Sequence, residues 1–155
     1  MKIWTSAIMF GVSLLLALVG SVAAVDCEEA AKELNRQLKP KIDEQELVTV
    51  LRSLNASRNR QLPEHFITKQ AARSLGWRPG SDLWRVKGLR GRSIGGDRFG
   101  NRERRLPDGG RRWHEADLDY RGGHRGAKRL LYADDGLRMV TVDHYRSFRE
   151  VPVCE

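Results

Sequence analysis

From residue 27 onward the apolar positions follow two regimes. In the first they recur every three or four residues. Ala30, Ala31, Leu34 and Leu38 share one face of a helix predicted over Cys27–Leu38, which Pro40 ends. A second helix is predicted over Asp43–Leu54. Leu47, Val50, Leu51 and Leu54 form its apolar stripe, and Asp43 can cap it with Glu46 three residues on. A third should start near Thr68, a good N-cap, with Ala71, Ala72 and Leu75 facing inward and Gly76 as its stop.

Beyond Trp77 the period shortens to two. Gly and Arg are frequent from Pro79 to Gly110, but interspersed Trp84, Ile94 and Phe99 argue for ordered loops rather than a disordered RNA-binding tail. Trp113–Tyr120 alternates, as does much of Leu137–Phe148. Asp135-Gly136, between two apolar runs, signals a hairpin. Helices first and strands afterwards predict an α+β fold, with N-terminal helices packed on a C-terminal antiparallel β-sheet.

The start of the chain differs from both regimes. Lys2 precedes an apolar run from Ile8 to Val19, and Val22-Ala23-Ala24 offers the small residues of a cleavage site. Residues 1–24 are therefore expected to be a signal peptide, with Val25 as the mature start and secretion to the periplasm or medium. A retained membrane anchor is the alternative, but the run is short for a bilayer span. A lipoprotein is disfavoured because Asp26 precedes Cys27. The remaining organisation expected is an N-terminal extension helix over 25–42 and one domain over 43–155.

Two cysteines in an exported chain favour a Cys27–Cys154 disulfide, fastening the extension to the C-terminal strand. His65, His114, His124 and His144 are scattered without metal-ligand spacing, so neither a metal nor a cofactor is expected. Asn55-Ala56-Ser57 matches a glycosylation acceptor, although a solvated helix end explains it better.

The net charge is +8 at pH 7, and the basic excess lies from Arg58 onward, mostly as arginine. Arginine binds phosphate oxygens in pairs, so the charge points to a polyanion, either nucleic acid or an anionic surface. Cutting RNA without a metal needs a base for the 2′-hydroxyl, an acid for the leaving 5′-oxygen, and cations around the phosphoryl group. Alternation along Trp113–Tyr120 puts Glu115, Asp117 and Asp119 on one face, which taken alone reads as a solvated acidic face. Arg125, Lys128 and Arg129 follow a Gly122-Gly123 turn, and His144 ends the Met139–Val142 run. In a meander these segments are neighbours, and Glu115, Arg125, Arg129 and His144 could meet. Composition and spacing go no further.

Four segments carry a resemblance. They are Leu62-Pro63…Phe66-Ile67-Thr68-Lys69…Leu75-Gly76-Trp77, Ser93-Ile94-Gly95-Gly96-Asp97…Phe99-Gly100-Asn101-Arg102-Glu103, Trp113–Tyr120, and Asp143-His144-Tyr145…Phe148. In this order and spacing, from about Asp43 to Val151, the chain resembles the barnase-type secreted bacterial ribonucleases that prefer guanine. The resemblance implies Glu115 as general base and His144 as general acid. It implies Lys69, Arg102, Arg125 and Arg129 as the groups that hold and stabilise the scissile phosphate. Gly100, Asn101, Arg102 and Glu103 would form the guanine loop, with Asp97 organising the site and Tyr145 lining it. The implied reaction is transesterification of single-stranded RNA to a 2′,3′-cyclic phosphate, then hydrolysis.

The resemblance also implies a small acidic inhibitor like barstar, protecting the producing cell. Departures from the family pattern are the extension helix, both cysteines, Gly136 in place of an aromatic, Gly100 in place of a serine, and a shortened Pro107–Arg111 loop. The Gly100 change bears on the strictness of guanine preference. The competing reading is a basic polyanion-binding protein without catalysis, in which Glu115 and His144 would be dispensable. A monomer is expected, and a nutritional nuclease and a toxin are equally compatible with these features.

Overall fold

The computed structural model describes residues 25–155, so the expected signal peptide lies outside the described residues. Helix α1 spans Cys27–Gln37 and α2 spans Glu44–Ala56. A short strand β1 (Phe66–Ile67) leads into α3 (Lys69–Ser74), and a 3-10 turn at Leu83–Arg85 follows. Strands β2 (Ser93–Phe99), β3 (Trp113–Asp117), β4 (Arg129–Ala133), β5 (Arg138–Thr141) and β6 (Arg149–Glu150) complete the chain. The six strands form one sheet in sequence order, β1 parallel to β2 and every other pair antiparallel. The α+β expectation is met.

The two long helices start where their caps predict. Asp43 accepts from the Glu46 N–H at 2.9 Å, but the box does not close on itself. The Asp43 N–H donates to Asp119 and Glu46 accepts from the Asp119 N–H, so the start of α2 is tied to the end of β3. The stripes of α1 and α2 pack on Ala116, Leu118, Leu130, Tyr132 and Val140, which cover one face of the sheet. Cys27 and Cys154 are bonded, linking α1 to the C-terminus across 127 residues. Asn55 donates to the Cys154 carbonyl at 2.8 Å and accepts from Arg138 at 2.8 Å, so this side chain of the glycosylation match is structural.

Helix α3 departs from expectation. Thr68 caps it, accepting from the Ala71 N–H at 3.2 Å, but the helix is six residues long and only Ala72 is buried. Ala71 is exposed, and Leu75, past the helix end, is 56% exposed. The Arg/Gly-rich stretch is ordered by a second core of Ala72, Trp77, Leu83, Leu89, Ile94 and Tyr120. The Tyr120 hydroxyl accepts from the Leu83 N–H at 2.9 Å and faces Asp82 and the Gly123 carbonyl as acceptors. Trp84 Nε1 donates to the Arg92 carbonyl at 2.8 Å. The hairpin at Asp135-Gly136 is present, with Gly136 at φ 101°, a conformation that suits glycine.

Candidate active site

The face of the sheet turned away from α1 and α2 carries two cross-strand rows. Asp97, Glu115, Leu131 and Met139 are register partners in one, and Asp117, Arg129 and Thr141 in the other. Partners in register share a face and touch, so pairing brings together residues distant in sequence. The solvated-face reading of Glu115 and Asp117 is corrected here: they are 5% and 1% exposed.

Glu115 accepts two strong hydrogen bonds, from Lys69 Nζ at 2.5 Å and from the Tyr145 hydroxyl at 2.5 Å. Lys69 opens α3, and its N–H donates to both Asp97 carboxylate oxygens at 2.9 and 3.2 Å. Asp97 thus clamps the helix start onto β2 and aims the lysine. Burial pushes the Glu115 carboxyl up. The hydrogen bonds from Lys69 and Tyr145, with the charges of Lys69 and Arg125, outweigh it and hold the group below its ordinary value. Burial and the Glu115 carboxylate together push the Tyr145 phenol upward, so it stays a donor.

Asp117 receives a two-pronged hydrogen bond from Arg125, with Nε and Nη2 each at 2.6 Å. Arg129, 3% exposed, pairs with the same carboxylate at 3.0 Å, but its Nε is not aligned for a hydrogen bond. Two guanidiniums thus share one carboxylate. One positive charge of the pair is left uncompensated beside Glu115.

His144 is exposed, in a turn where it and Tyr145 have φ of 58° and 68°. Asp143 holds that turn by accepting from Thr141 Oγ1, the N–H groups of Arg146 and Ser147, and Ser147 Oγ. Slight burial opposes ionisation of Asp143, but these hydrogen bonds prevail and hold its carboxyl at about 2. The His144 ring lies 5.0 Å from that of Tyr145.

A cleft of about 500 Å³ joins Glu115 and Tyr145 to Gly100, Asn101, Arg102 and Glu103. Phe99 stacks on Tyr145 at 5.3 Å and walls it. The Asn101 side chain turns back to bond both the N–H and the carbonyl of Leu106, so it shapes the loop. Glu103 pairs with Arg105 at 2.7 Å, and Arg105 donates to the Tyr145 and Arg146 carbonyls.

Lys69, Asp97, Glu115 and Tyr145 therefore form one bonded chain, with Arg125 and Arg129 joined on the next row and the Gly100–Glu103 loop across the cleft. His144 stands beside Tyr145 but does not line the cleft. Sequence reasoning missed Asp117, Asp143 and Arg105. Asp117 had a signal as an acid at period two from Glu115 with arginines nearby, and Asp143 as part of the segment with His144 and Tyr145. Among the described residues, no three His, Cys, Asp or Glu side chains are grouped to hold a metal ion.

Helices followed by a mostly antiparallel sheet fit the α+β architecture of the small microbial ribonucleases. The chain matches the sequence model of the family described as ribonuclease over residues 52–152, and it belongs to that barnase-type bacterial family. It is 47% identical over 96 residues to a ribonuclease of Heyndrickxia coagulans, covering 61% of this chain and 86% of that one. Ribonucleases of Bacillus intermedius and Bacillus pumilus are also 47% identical over 96 residues. The match again covers 61% of this chain but only 58% of each of theirs.

Proposed function

We propose that the chain is a secreted endoribonuclease cutting single-stranded RNA without a metal, 3′ to guanine. The observation that supports it best is Glu115, buried yet kept ionised by Lys69 and Tyr145. Each of its oxygens keeps a lone pair beyond the one engaged, so the carboxylate can take a proton. In this reading Glu115 removes the 2′-hydroxyl proton, the 2′-oxygen bonds to phosphorus, and the P–O5′ bond breaks. His144 gives its proton to the departing 5′-oxygen, leaving a 2′,3′-cyclic phosphate. Hydrolysis follows with the two roles reversed. Lys69, Arg102, Arg125 and Arg129 hold the phosphoryl oxygens as charge builds on them. Backbone N–H groups from Gly100 to Glu103, with the Glu103 carboxylate, read guanine, while Asp97 and Tyr145 support the base.

The catalytic unit in this proposal is 43–155, with 25–42 an extension fastened by the disulfide. That bond fits an oxidising compartment and so supports export. An acidic barstar-like inhibitor would meet the basic cleft. Inability of such a protein to inhibit cleavage would count against that partner.

The test is cleavage of short defined RNAs in EDTA by the mature protein beside Glu115→Ala and His144→Ala. Cuts 3′ to guanine by the wild type, lost in both variants, are expected. Tight binding of RNA that stays intact would overturn the enzyme and leave the basic binding protein.

A further inference from the structure

On the other side of the sheet from Glu115, the loop after α2 encloses a cavity of about 930 Å³, larger than the cleft beside Glu115. None of the residues assigned above to base, acid, phosphate or guanine lines it. Its side walls include Leu62 and Phe66. At its back His114 and Tyr132 stack, ring centroids 5.5 Å apart and planes 23° apart. His114 Nδ1 lies 3.2 Å from the Gly96 carbonyl, which can only accept, so Nδ1 donates and Nε2 is left for a ligand. Tyr132 is 3% exposed and lines the cavity, and among the described residues its hydroxyl bonds to no protein group, which leaves it for a ligand.

Charge is placed to match. Exposed Arg58, Arg60 and Arg112 line the cavity, with Glu64 and Asp134. Asp134 pairs with Arg112 at 2.9 Å, whereas Arg58 and Arg60 have no carboxylate partner among the described residues. Their backbone is pinned. Arg58 and Asn59 both have left-handed φ, 53° and 59°, an uncommon conformation for an arginine. Asn59 between them is buried, donating to the Ala133 carbonyl at 2.8 Å and accepting from Arg138 at 2.9 Å. The loop is thus fixed where two unpaired guanidiniums flank an aromatic-backed hollow. Thr68 and Gly96 on its rim are chain neighbours of Lys69 and Asp97, so the hollow adjoins the catalytic site around the β1–α3 corner.

We propose that this cavity is a second nucleotide subsite for the same single-stranded RNA, a base entering against His114 and Tyr132 and two phosphates meeting Arg58 and Arg60. The inference rests on the ribonuclease reading. Planar aromatic surface with polar edges suits a base, and arginine forks suit phosphodiester oxygens. A bare anion would leave the aromatic back unused.

The test uses the mature protein and 2′-deoxy oligonucleotides of two, four, eight and twelve residues, which lack the attacking hydroxyl and are not cut. Wild-type affinity should rise with length beyond four. Replacing both arginines (Arg58→Ser with Arg60→Ser) should weaken the twelve-residue strand about tenfold. It should also reduce the slope of log affinity against log salt by about 1.4, the release expected from two single-strand phosphates. Cleavage of a guanylyl dinucleotide should be unchanged, which also shows that the variant folds. Tyr132→Phe should weaken the long strand and spare the dinucleotide. The pair Lys87→Ser with Arg90→Ser, exposed elsewhere, is the charge control. Equal loss in that control, or no change in any cavity variant, overturns the proposal. Absence of dinucleotide cleavage by the wild type overturns the ribonuclease reading separately, since the affinities are measured without cleavage.

Discussion

Asp117 stands directly opposite Arg129 in the β3–β4 register, and both residues are almost fully buried. A buried carboxylate that neutralises one arginine while receiving another, Arg125, fixes two cations beside Glu115 that would otherwise repel each other. Removing one partner of a buried pair typically costs about 3–5 kcal/mol, because the charge left behind is neither solvated nor compensated. Asp117→Asn should therefore destabilise the fold by about that amount, measured by urea unfolding at neutral pH. It should also lower kcat on a guanylyl dinucleotide at least tenfold as the guanidiniums lose their common anchor. Unchanged stability would show that Arg125 and Arg129 are held by something other than this carboxylate.

The pH dependence of activity should carry the signature of Lys69. Burial alone would raise the Glu115 carboxyl, and Lys69 with Tyr145 brings it below the ordinary carboxylate value. The acid limb of kcat/KM should accordingly lie below about 4.5, the usual value for a glutamate. Lys69→Ala leaves burial and removes the largest opposing contribution, so the limb should move to higher pH. Tyr145→Phe should move it the same way by less. A limb that stays in place in both variants would assign it to another group.

The elements legible in the sequence are those whose signals are local. Asp43 and Thr68 cap where expected, and the α1 and α2 stripes reach the core. The inward set of α3 failed because only Ala72 meets the second core: Ala71 is exposed, and Leu75, past the helix end, is left largely uncovered by the described residues. Only the position of distant segments could have revealed that. The acids of β3 looked like a solvated face for the same reason: partners for Glu115 and Asp117 come from α3, β4 and the turns on either side. Resemblance supplied Glu115 and Lys69 as site residues, whereas register supplied Asp117. Arg105 pairs locally with Glu103, but its tie to the turn carried no signal, because it runs to backbone carbonyls some forty residues away.

The disulfide should matter for stability rather than chemistry. Cys27 and Cys154 close a loop of 127 residues far from Glu115 in sequence and on the helix side of the sheet. Loop-closure entropy suggests about 4–5 kcal/mol for a ring of this size. Cys27→Ser with Cys154→Ser should lower unfolding free energy by up to that amount, read by urea at 25 °C. Dinucleotide kcat of the folded fraction should stay within about twofold. A large loss of kcat at full folding would mean that the extension contributes to the site itself.

Asp143 gives the last prediction, and its sign is fixed by the direction of its shift. Its carboxyl is held at about 2 in the fold against an ordinary 3.8, so the folded chain binds this proton less readily than the unfolded one. Its stabilising contribution is therefore fully present above about 4 and is lost as pH falls toward 2. The four donors that depress it are the ones that shape the turn carrying His144 and Tyr145. Asp143→Ala should remove that acid-dependent part of stability, flattening the urea midpoint against pH between about 4 and 2. It should also loosen the left-handed backbone at His144 and Tyr145, which few residues adopt without outside support. Because the turn bears the proposed acid and the phenol bonded to Glu115, kcat should fall more than KM changes. Asp143→Asn, which keeps one acceptor oxygen, should recover part of kcat but little of the acid dependence. Equal loss in both variants would mean that the charge, rather than the turn geometry, is what the site requires.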